Sequence, residues 1–530
     1  MFLDPLSTKR KALSIFTISA AVLAPVIGHA DDVTLRSADG TVNLVGELIE
    51  FTNNNYVLRT SLGDVLVSGS QVRCEGVDCP DFGVIEAETR ISGSSAVGDG
   101  LMPLLLSGFA GALRAEVTQT ATGTSGQLVA EFIGEEGFGD PLGSYLVTST
   151  RSTDAFSTLL DQTAEIGMSS RRIQPDEAQA LLDAGAGNMV SPDQEHIIAV
   201  DTLVVITHPA NPIKSVTMDQ LRAVYNGTIT NWSELGGNDA PITVYSRDEG
   251  TGTRGVFDNG VFGQDTPDLP ATAQIAPSEN QMAASINADV NAIGFVGFAF
   301  QRGASPLTLI SDCGISMVPD AFSARTEEYA LQRFLYLYTR GDLNEQSATE
   351  FVNYTTSNEA DTVIAKAGFI DLGIARREQT ADGERAQQLL NTSVNTSQSG
   401  FIREMLTEMV DYDRLSTTFR FRTGSSALDP RGRSNLERLV DYLETQPEGT
   451  EVQFVGFTDD VGAFESNRVL SVGRADRVMA EMRNFAGDRL NGIEMTSRGF
   501  GEIAPSACNT SDNERQINRR VEVWIKSVNG

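Results

Sequence analysis

Between residues 33 and 73, hydrophobic and polar positions alternate with a period of two, in TVNLVGELIEF, NYVLRTS and GDVLVSG, with Asn53-Asn54-Asn55 and Gly63-Asp64 as turn signals. A period of two belongs to half-buried strands. A small β unit is therefore expected within residues 31–85. From Thr89 to about Arg376, β-rich runs such as TRISGS, HIIAVDTLVVI and ITVYS alternate with stretches read as helical, among them SVTMDQLRAVY and TEEYALQRFLYLY. That alternation predicts α/β architecture with parallel strands over residues 86–376. From Arg377 to Tyr412 the chain turns polar and helical, with Gln-, Asn- and Thr-rich breaks and no credible strand, and residues 377–414 read as a linker. Beyond it, strand FRFR, helix PRGRSNLERLVDYLET, strand EVQFVGF, helix SNRVLSVGRADRVMAEMR and strand RRVEVWI predict a compact α/β unit over residues 415–530.

The N-terminal segment departs from both periods. Lys9, Arg10 and Lys11 precede a mostly apolar stretch from Ala12 to Ile27, and Gly28-His29-Ala30 sets small residues at a cleavage site, so residues 1–30 read as a secretory signal peptide. The apolar run is short for a membrane span, holds Pro25 and ends at Asp31 and Asp32. Export implies an oxidising compartment, where four cysteines are expected to pair. Cys74 and Cys79 are the favoured local pair, and Cys313 and Cys508 are left open. A formal net charge of -31 gives a surface that repels nucleic acid and anionic lipid, so no nucleic-acid partner is expected.

Against that global field, three loops carry local anion-binding chemistry. SRDEGTGTR, residues 246–254, joins strand ITVYS to a helix, and helix N-termini present unpaired N–H groups with a partial positive charge. Gly250 and Gly252 permit close backbone approach, Thr251 and Thr253 add hydroxyls, and Arg247 or Arg254 can fork two oxygens. A glycine-rich turn with capping threonines is the plainer reading of this loop alone. ISGSSAVG, residues 91–98, repeats the strand-to-helix arrangement with Ser94 and Ser95, and IGMSSRRI, residues 166–173, adds Ser169, Ser170 and Arg171. Three such loops on one α/β framework favour convergence on one anion over routine serine capping.

These loops, with VYNGTITNWSELGG at 224–237 and AIGFVGFAF at 292–300, resemble in order and composition the periplasmic phosphate-binding proteins of ABC importers, the PstS-like group, over about residues 88–375. The resemblance implies two α/β lobes with phosphate between them, and an importer permease as partner. Carried over by position, the implied ligands are Ser94, the Ala96 backbone, Ser169, Ser170, Arg247, Thr251, Gly252 and Thr253, with Ser95 and Arg171 beside them. Ala96 stands where the family often has threonine, and Ser170 where many members have an aspartate that accepts the proton of hydrogen phosphate. Another acceptor is then required. Glu249 is the candidate, its alternative role being to pair with Arg247 and orient it.

The C-terminal unit has a second constellation. FTDDVGAFESNRVLSVGRA puts Asp459 and Asp460 in a loop, while Asn467 and Arg474, seven apart on a helix, face one way with Leu470 and Ser471 between them. Asp459 suits an ammonium and Arg474 a carboxylate. TDDVG, N-x-x-L-S-x-x-R-A, GFGE at 499–502 and NRRVEVWI at 518–525 are similar to the OmpA-like peptidoglycan-binding domain, in which the matching Asp and Arg grip diaminopimelate. Glu514 replaces a usual glycine, and Asn518, Arg519 and Arg520 are taken as structural. Together the resemblances imply a periplasmic, wall-attached protein, compatible with outer-membrane association, that binds inorganic phosphate and peptidoglycan and needs no cofactor or metal. No general base is identifiable beside Ser94, Ser169 or Ser170, so a phosphatase is the weaker rival and no enzyme is expected. A wall-attached structural or sensing protein remains the other alternative.

Overall fold

The computed structural model describes residues 32–526 apart from 38–42, 53–54, 61–62, 69–71, 77, 81–86, 135–140, 264, 344, 381–382, 392–397 and 422–429. The expected signal peptide lies outside the described residues. The first unit is a five-stranded antiparallel sheet, Gly63–Ser68, Asn55–Thr60, Asn43–Thr52, Asp32–Ser37 and Val72–Glu75 in spatial order. Its small core of Val33, Leu35, Tyr56, Leu58 and Val72 is closed by a disulfide between Cys74 and Cys79.

The central body is built on one large sheet that bends between two lobes. Strand Glu195–Thr207 makes the bend: Glu195 to Thr202 pair with strand Gln332–Thr339, and Leu203 to Thr207 pair with Ala292–Gly297. In the first lobe Ile166–Ser169, Thr89–Ser94 and Pro141–Thr150 run parallel. In the second, Thr243–Arg247 runs parallel to Ala292–Gly297 and to Gln274–Ala276. Parallel strands direct their C-terminal ends, and the loops that follow, toward the same crevice.

One expectation fails here. QRFLYLYT, read as part of a helix, is the crossing strand Gln332–Thr339. Its side chains are covered on both faces, with Leu335, Leu337 and Tyr338 fully buried, so the alternation that would have marked a strand is absent. The buried charge of Arg333 in this strand is matched by Asp201 in the other crossing strand, 2.6 Å away.

The last unit is a five-stranded sheet in the order Arg376–Arg377, Asp413–Arg420, Arg520–Lys526, Glu451–Gly456, Glu494–Gly499, with helices Pro430–Glu444 and Phe464–Ala486 packed on it. The segment expected to be a strandless linker belongs to this unit. Arg376 and Arg377 pair with Leu415 and Arg414 as an edge strand. Helices Glu384–Asn391 and Ser399–Asp411 bury Leu389, Ile402, Met405 and Met409 against Val455, Phe457, Phe500 and Trp524. Their composition is polar because only one narrow stripe of each helix meets the core.

The unit is docked on the central body, not hung from it. Cys313, in the second lobe, is disulfide-bonded to Cys508 across a sequence separation of 195. Arg414 donates to both oxygens of Glu328 at 2.8 and 3.0 Å, and Glu522, fully buried, receives Arg385, Arg414 and Arg520. On the first lobe, Arg438 reaches Asp361 at 2.7 Å and the Thr356 carbonyl at 2.9 Å. The C-terminal unit therefore touches both lobes.

Candidate functional sites

Three helix N-termini meet at one hydroxyl in the crevice. Ser170 follows strand Ile166–Ser169; its Oγ accepts from Ser94 Oγ at 3.1 Å and lies 3.2 Å from Ser152 Oγ. Ser94 caps the turn Ser95–Gly98, Ser152 opens helix Ser152–Leu160, and Gly252 opens helix Gly252–Phe262. Gly252 must be glycine: a Cβ there would stand 2.3 Å from Ser170 Oγ and 2.5 Å from Ser152 Oγ, across the lobe boundary. First-turn N–H groups such as those of Gly252 and Thr253 have no intrahelical acceptor. Helix starts gathered around serine hydroxyls supply the donor chemistry of an oxyanion site.

Arg247 supplies the full charge. It ends strand Thr243–Arg247, is only 2% exposed, and spends Nη2 on the Pro277 carbonyl at 3.2 Å. Its Nε finds no partner, and Glu279 stands 3.9 Å from Nη1. Burial lowers the Arg247 pKa, with Glu279 and Asp99 opposing the shift. Beneath it lies a buried network: Glu279 accepts from Thr253 Oγ1 and the Gly297 N–H, both at 2.5 Å, and from Arg333 at 3.2 Å, while Arg333 also donates to Thr253 Oγ1 at 2.7 Å. Burial alone would raise the Glu279 carboxyl; Arg333 and Arg247 more than offset it and hold it below the usual range. Two arginines against Glu279 and Asp201 leave the network neutral before any anion arrives.

Several expected ligands have other occupations. The Thr253 hydroxyl is held by Glu279 and Arg333, which leaves its first-turn N–H as its remaining donor. Thr251 Oγ1 donates to the Asp248 carbonyl at 2.8 Å and accepts from Arg254 N–H at 3.2 Å, a helix cap. Ser169 Oγ donates to the Arg171 carbonyl at 2.7 Å. The Arg171 guanidinium pairs with both Glu177 oxygens, at 2.6 and 2.8 Å, over the Phe156 ring. Arg254 is taken by Asp258 at 2.6 Å and Ser246 at 2.9 Å. Ser95 is half-buried and Ala96 buried in the turn beyond Ser94, and Glu249 is exposed at the loop tip without an ion pair to Arg247. Sequence reasoning overlooked Ser152. The signal was there: STRSTDAF, at 149–156, is a fourth strand-to-helix loop of the same composition.

In the C-terminal unit, helix Phe464–Ala486 lies close to the sheet because Gly456 lacks a side chain; a Cβ there would be 2.0 Å from the Ser471 carbonyl oxygen. Asn467, Ser471 and Arg474 are buried on the packed face, whereas Leu470 is 47% exposed and off it. Asn467 donates to Glu502 at 2.5 Å and to the Asp459 carbonyl at 3.3 Å. Asp459 is paired with Arg519 at 2.7 Å, and Arg519 also donates to the Phe421 carbonyl at 3.3 Å. Arg474 is 3% exposed, with Nε and Nη1 unpartnered and its charge over the Phe421 ring at 5.4 Å. Burial lowers its pKa, Asp459 opposes the shift and Arg519 adds to it. Asn518 and Arg520 are structural: Asn518 bonds the 506–509 loop, and Arg520 the Glu522 carboxylate. Glu514 closes a capping box with Ser511 where a glycine was expected. Among the described residues no His, Cys, Asp or Glu cluster could hold a metal ion, and no helix is long and apolar enough to cross a membrane.

The PBP superfamily domain matches residues 85–359, more than half of the 530-residue chain. The chain belongs to the PBP superfamily. Its C-terminal residues 420–519 match the OmpA family, so this PBP-superfamily protein carries an OmpA domain. Over 193 residues it is 28% identical to the phosphate-binding protein PstS of Bacillus subtilis, covering 36% of this chain and 62% of that one. The chain therefore spans less than two thirds of that relative's length. Its C-terminal part is 31% identical over 114 residues to outer membrane porin F of Pseudomonas fluorescens, 22% of this chain and 34% of that one. An ABC-type phosphate transport receptor from Vibrio cholerae aligns structurally with 53% of this chain and 99% of its own, at 23% identity and a TM-score of 0.39.

Proposed function

We propose that this is an exported phosphate-binding protein, held at peptidoglycan by its OmpA domain and serving phosphate uptake through an ABC importer. The observation that carries the phosphate reading is the meeting of the helix starts at Ser94, Ser152 and Gly252 around Ser170, beside a buried Arg247 whose Nε is unpartnered. A tetrahedral oxyanion offers enough acceptor oxygens to satisfy these donors together. The ligand set proposed is Ser94, Ser152 and Ser170 through hydroxyls, Ala96, Gly252 and Thr253 through N–H groups, and Arg247 through its guanidinium. Peptidoglycan binding rests on Arg474, a buried cation without a hydrogen-bonding anion, opposite Asp459. The groove suits a zwitterion such as diaminopimelate.

Calorimetric titration of the mature protein with phosphate, sulfate and arsenate tests the first reading, and sedimentation with purified peptidoglycan the second. Phosphate binding that outlasts Arg247→Ala unchanged would remove the ligand set. Phosphate-uptake rates in cells lacking the chain test the importer role.

A further inference from the structure

We infer that the C-terminal unit braces the two lobes in their closed arrangement and so sets the rate at which phosphate enters and leaves; the inference rests on the phosphate reading. Ser94, Ser152 and Ser170 belong to the first lobe, Arg247 and Thr253 to the second, and all five are at most 3% exposed. Gly252 of the second lobe sits directly against Ser170 and Ser152 of the first. An ion reaches donors at that depth only when the lobes part.

The grip on the second lobe is covalent, through Cys313 and Cys508. It is reinforced at residues 326–328, which lead toward the crossing strand Gln332–Thr339. Arg420 Nη2 donates to the Thr326 carbonyl at 2.5 Å, Arg431 pairs with Glu327, and Arg414 pairs with Glu328 at 2.8 Å. The Arg431 guanidinium also lies over the ring of Phe334, in the crossing strand itself, 4.0 Å from the centroid.

The grip on the first lobe comes from the same helix, Pro430–Glu444. Arg438, about 10 Å along it from Arg431, donates to Asp361 at 2.7 Å and to the Thr356 carbonyl at 2.9 Å, and Asn358 donates to Asp441 at 3.1 Å. Thr356, Asn358 and Asp361 lie in the consecutive helices Gln346–Thr356 and Asn358–Lys366. Helix Met102–Ala112, which follows the Ser94 turn, packs on them so closely that a Cβ at Gly108 would stand 2.2 Å from Tyr354 Oη and 2.8 Å from Val363 Cγ2. One helix therefore links the crossing strand to the lobe that carries Ser94. Parting the lobes breaks one of its two ends, and because the second-lobe end is backed by a disulfide, the Arg438 end gives way. No brace residue belongs to the ligand set. The brace thus favours the closed arrangement with or without phosphate, and acts on rates more than on affinity.

The test is the kinetics of phosphate exchange, followed by stopped flow on the mature protein as wild type, Arg438→Ala, Arg438→Ala combined with Asp361→Asn, and Arg477→Ala. The combined variant leaves no unpaired carboxylate at the seam, which keeps a folding defect from imitating the result. Arg477, paired with Glu481 on its own helix at 2.7 Å, is the control. Both brace variants should speed association and dissociation together by about tenfold, with Kd held within about threefold, and the control should match wild type. Wild-type rates in both brace variants overturn the brace, as does a control that accelerates equally. Slower association with faster dissociation marks a damaged site and overturns it too. Wild type that binds no phosphate overturns the phosphate reading, and the brace with it.

Discussion

Replacing Arg474 with methionine should strengthen the fold while removing wall binding. The guanidinium is 3% exposed and leaves Nε and Nη1 without hydrogen-bond partners. Each unsatisfied buried donor costs about 1–3 kcal/mol. The contact over Phe421 returns about 1 kcal/mol of that. Asp459 is not orphaned by the change, because Arg519 already holds it at 2.7 Å. Methionine fills the space of the arginine stem without a charge, so a net gain of about 1–3 kcal/mol in folding stability is expected. A gain of 1 kcal/mol raises the melting temperature of a domain of this size by about 2–4 °C. Binding should move the other way: a ligand carboxylate left without its buried partner loses about 2–5 kcal/mol, at least roughly thirty-fold in affinity. Thermal unfolding and peptidoglycan sedimentation are measured on the same preparations. A variant destabilised by more than about 1 kcal/mol, or one that still sediments with the wall, would refute the reasoning.

Other consequences follow from the same contacts. Arg247→Ala should weaken phosphate binding by about 2 kcal/mol or more, and Thr253→Ala, whose hydroxyl serves Glu279 and Arg333, by about 1 kcal/mol through misplacement of the network; equal titrations would contradict this order. Converting Cys313 and Cys508 together to serine should lower the denaturant midpoint. The chain-entropy limit for a loop of 195 residues is about 5 kcal/mol, and undocking of folded units should show less; an unchanged midpoint would mean the disulfide adds nothing to the docking. Glu328 and Glu522 are both held below the usual carboxylate range: burial would raise them, and Arg414 for Glu328, and Arg385 and Arg414 for Glu522, more than offset it. A depressed folded value stabilises above the unfolded one, so this contribution is complete above about pH 4.5 and is lost as pH falls toward the Glu328 value of about 2. Denaturant midpoints measured between those limits should decline, and a flat profile would argue against the network as a stabiliser.

What the linear pattern carried was local. A strand followed by Ser-, Gly- or Thr-rich turn and helix is written in consecutive residues, because backbone reach, capping and unpaired N–H groups depend on near neighbours. The loops at 91–98, 166–173 and 246–254 were legible for that reason, as was the spacing that puts Asn467 and Arg474 on one face of a helix. Partner choice was not local. Arg171 and Arg247 look alike in sequence, and only packing gives one to Glu177 and leaves the other buried with a free Nε. Thr253 looked like a ligand until Glu279 and Arg333, 26 and 80 residues away, took its hydroxyl. The strand at Gln332–Thr339 lost its alternation by being buried on both faces, and the polar segment before Tyr412 proved to be part of the last core because one stripe of each helix meets Trp524 and its neighbours. The Cys313–Cys508 bond spans 195 residues, a distance over which spacing holds no information until the folded surfaces bring the two sulfurs together.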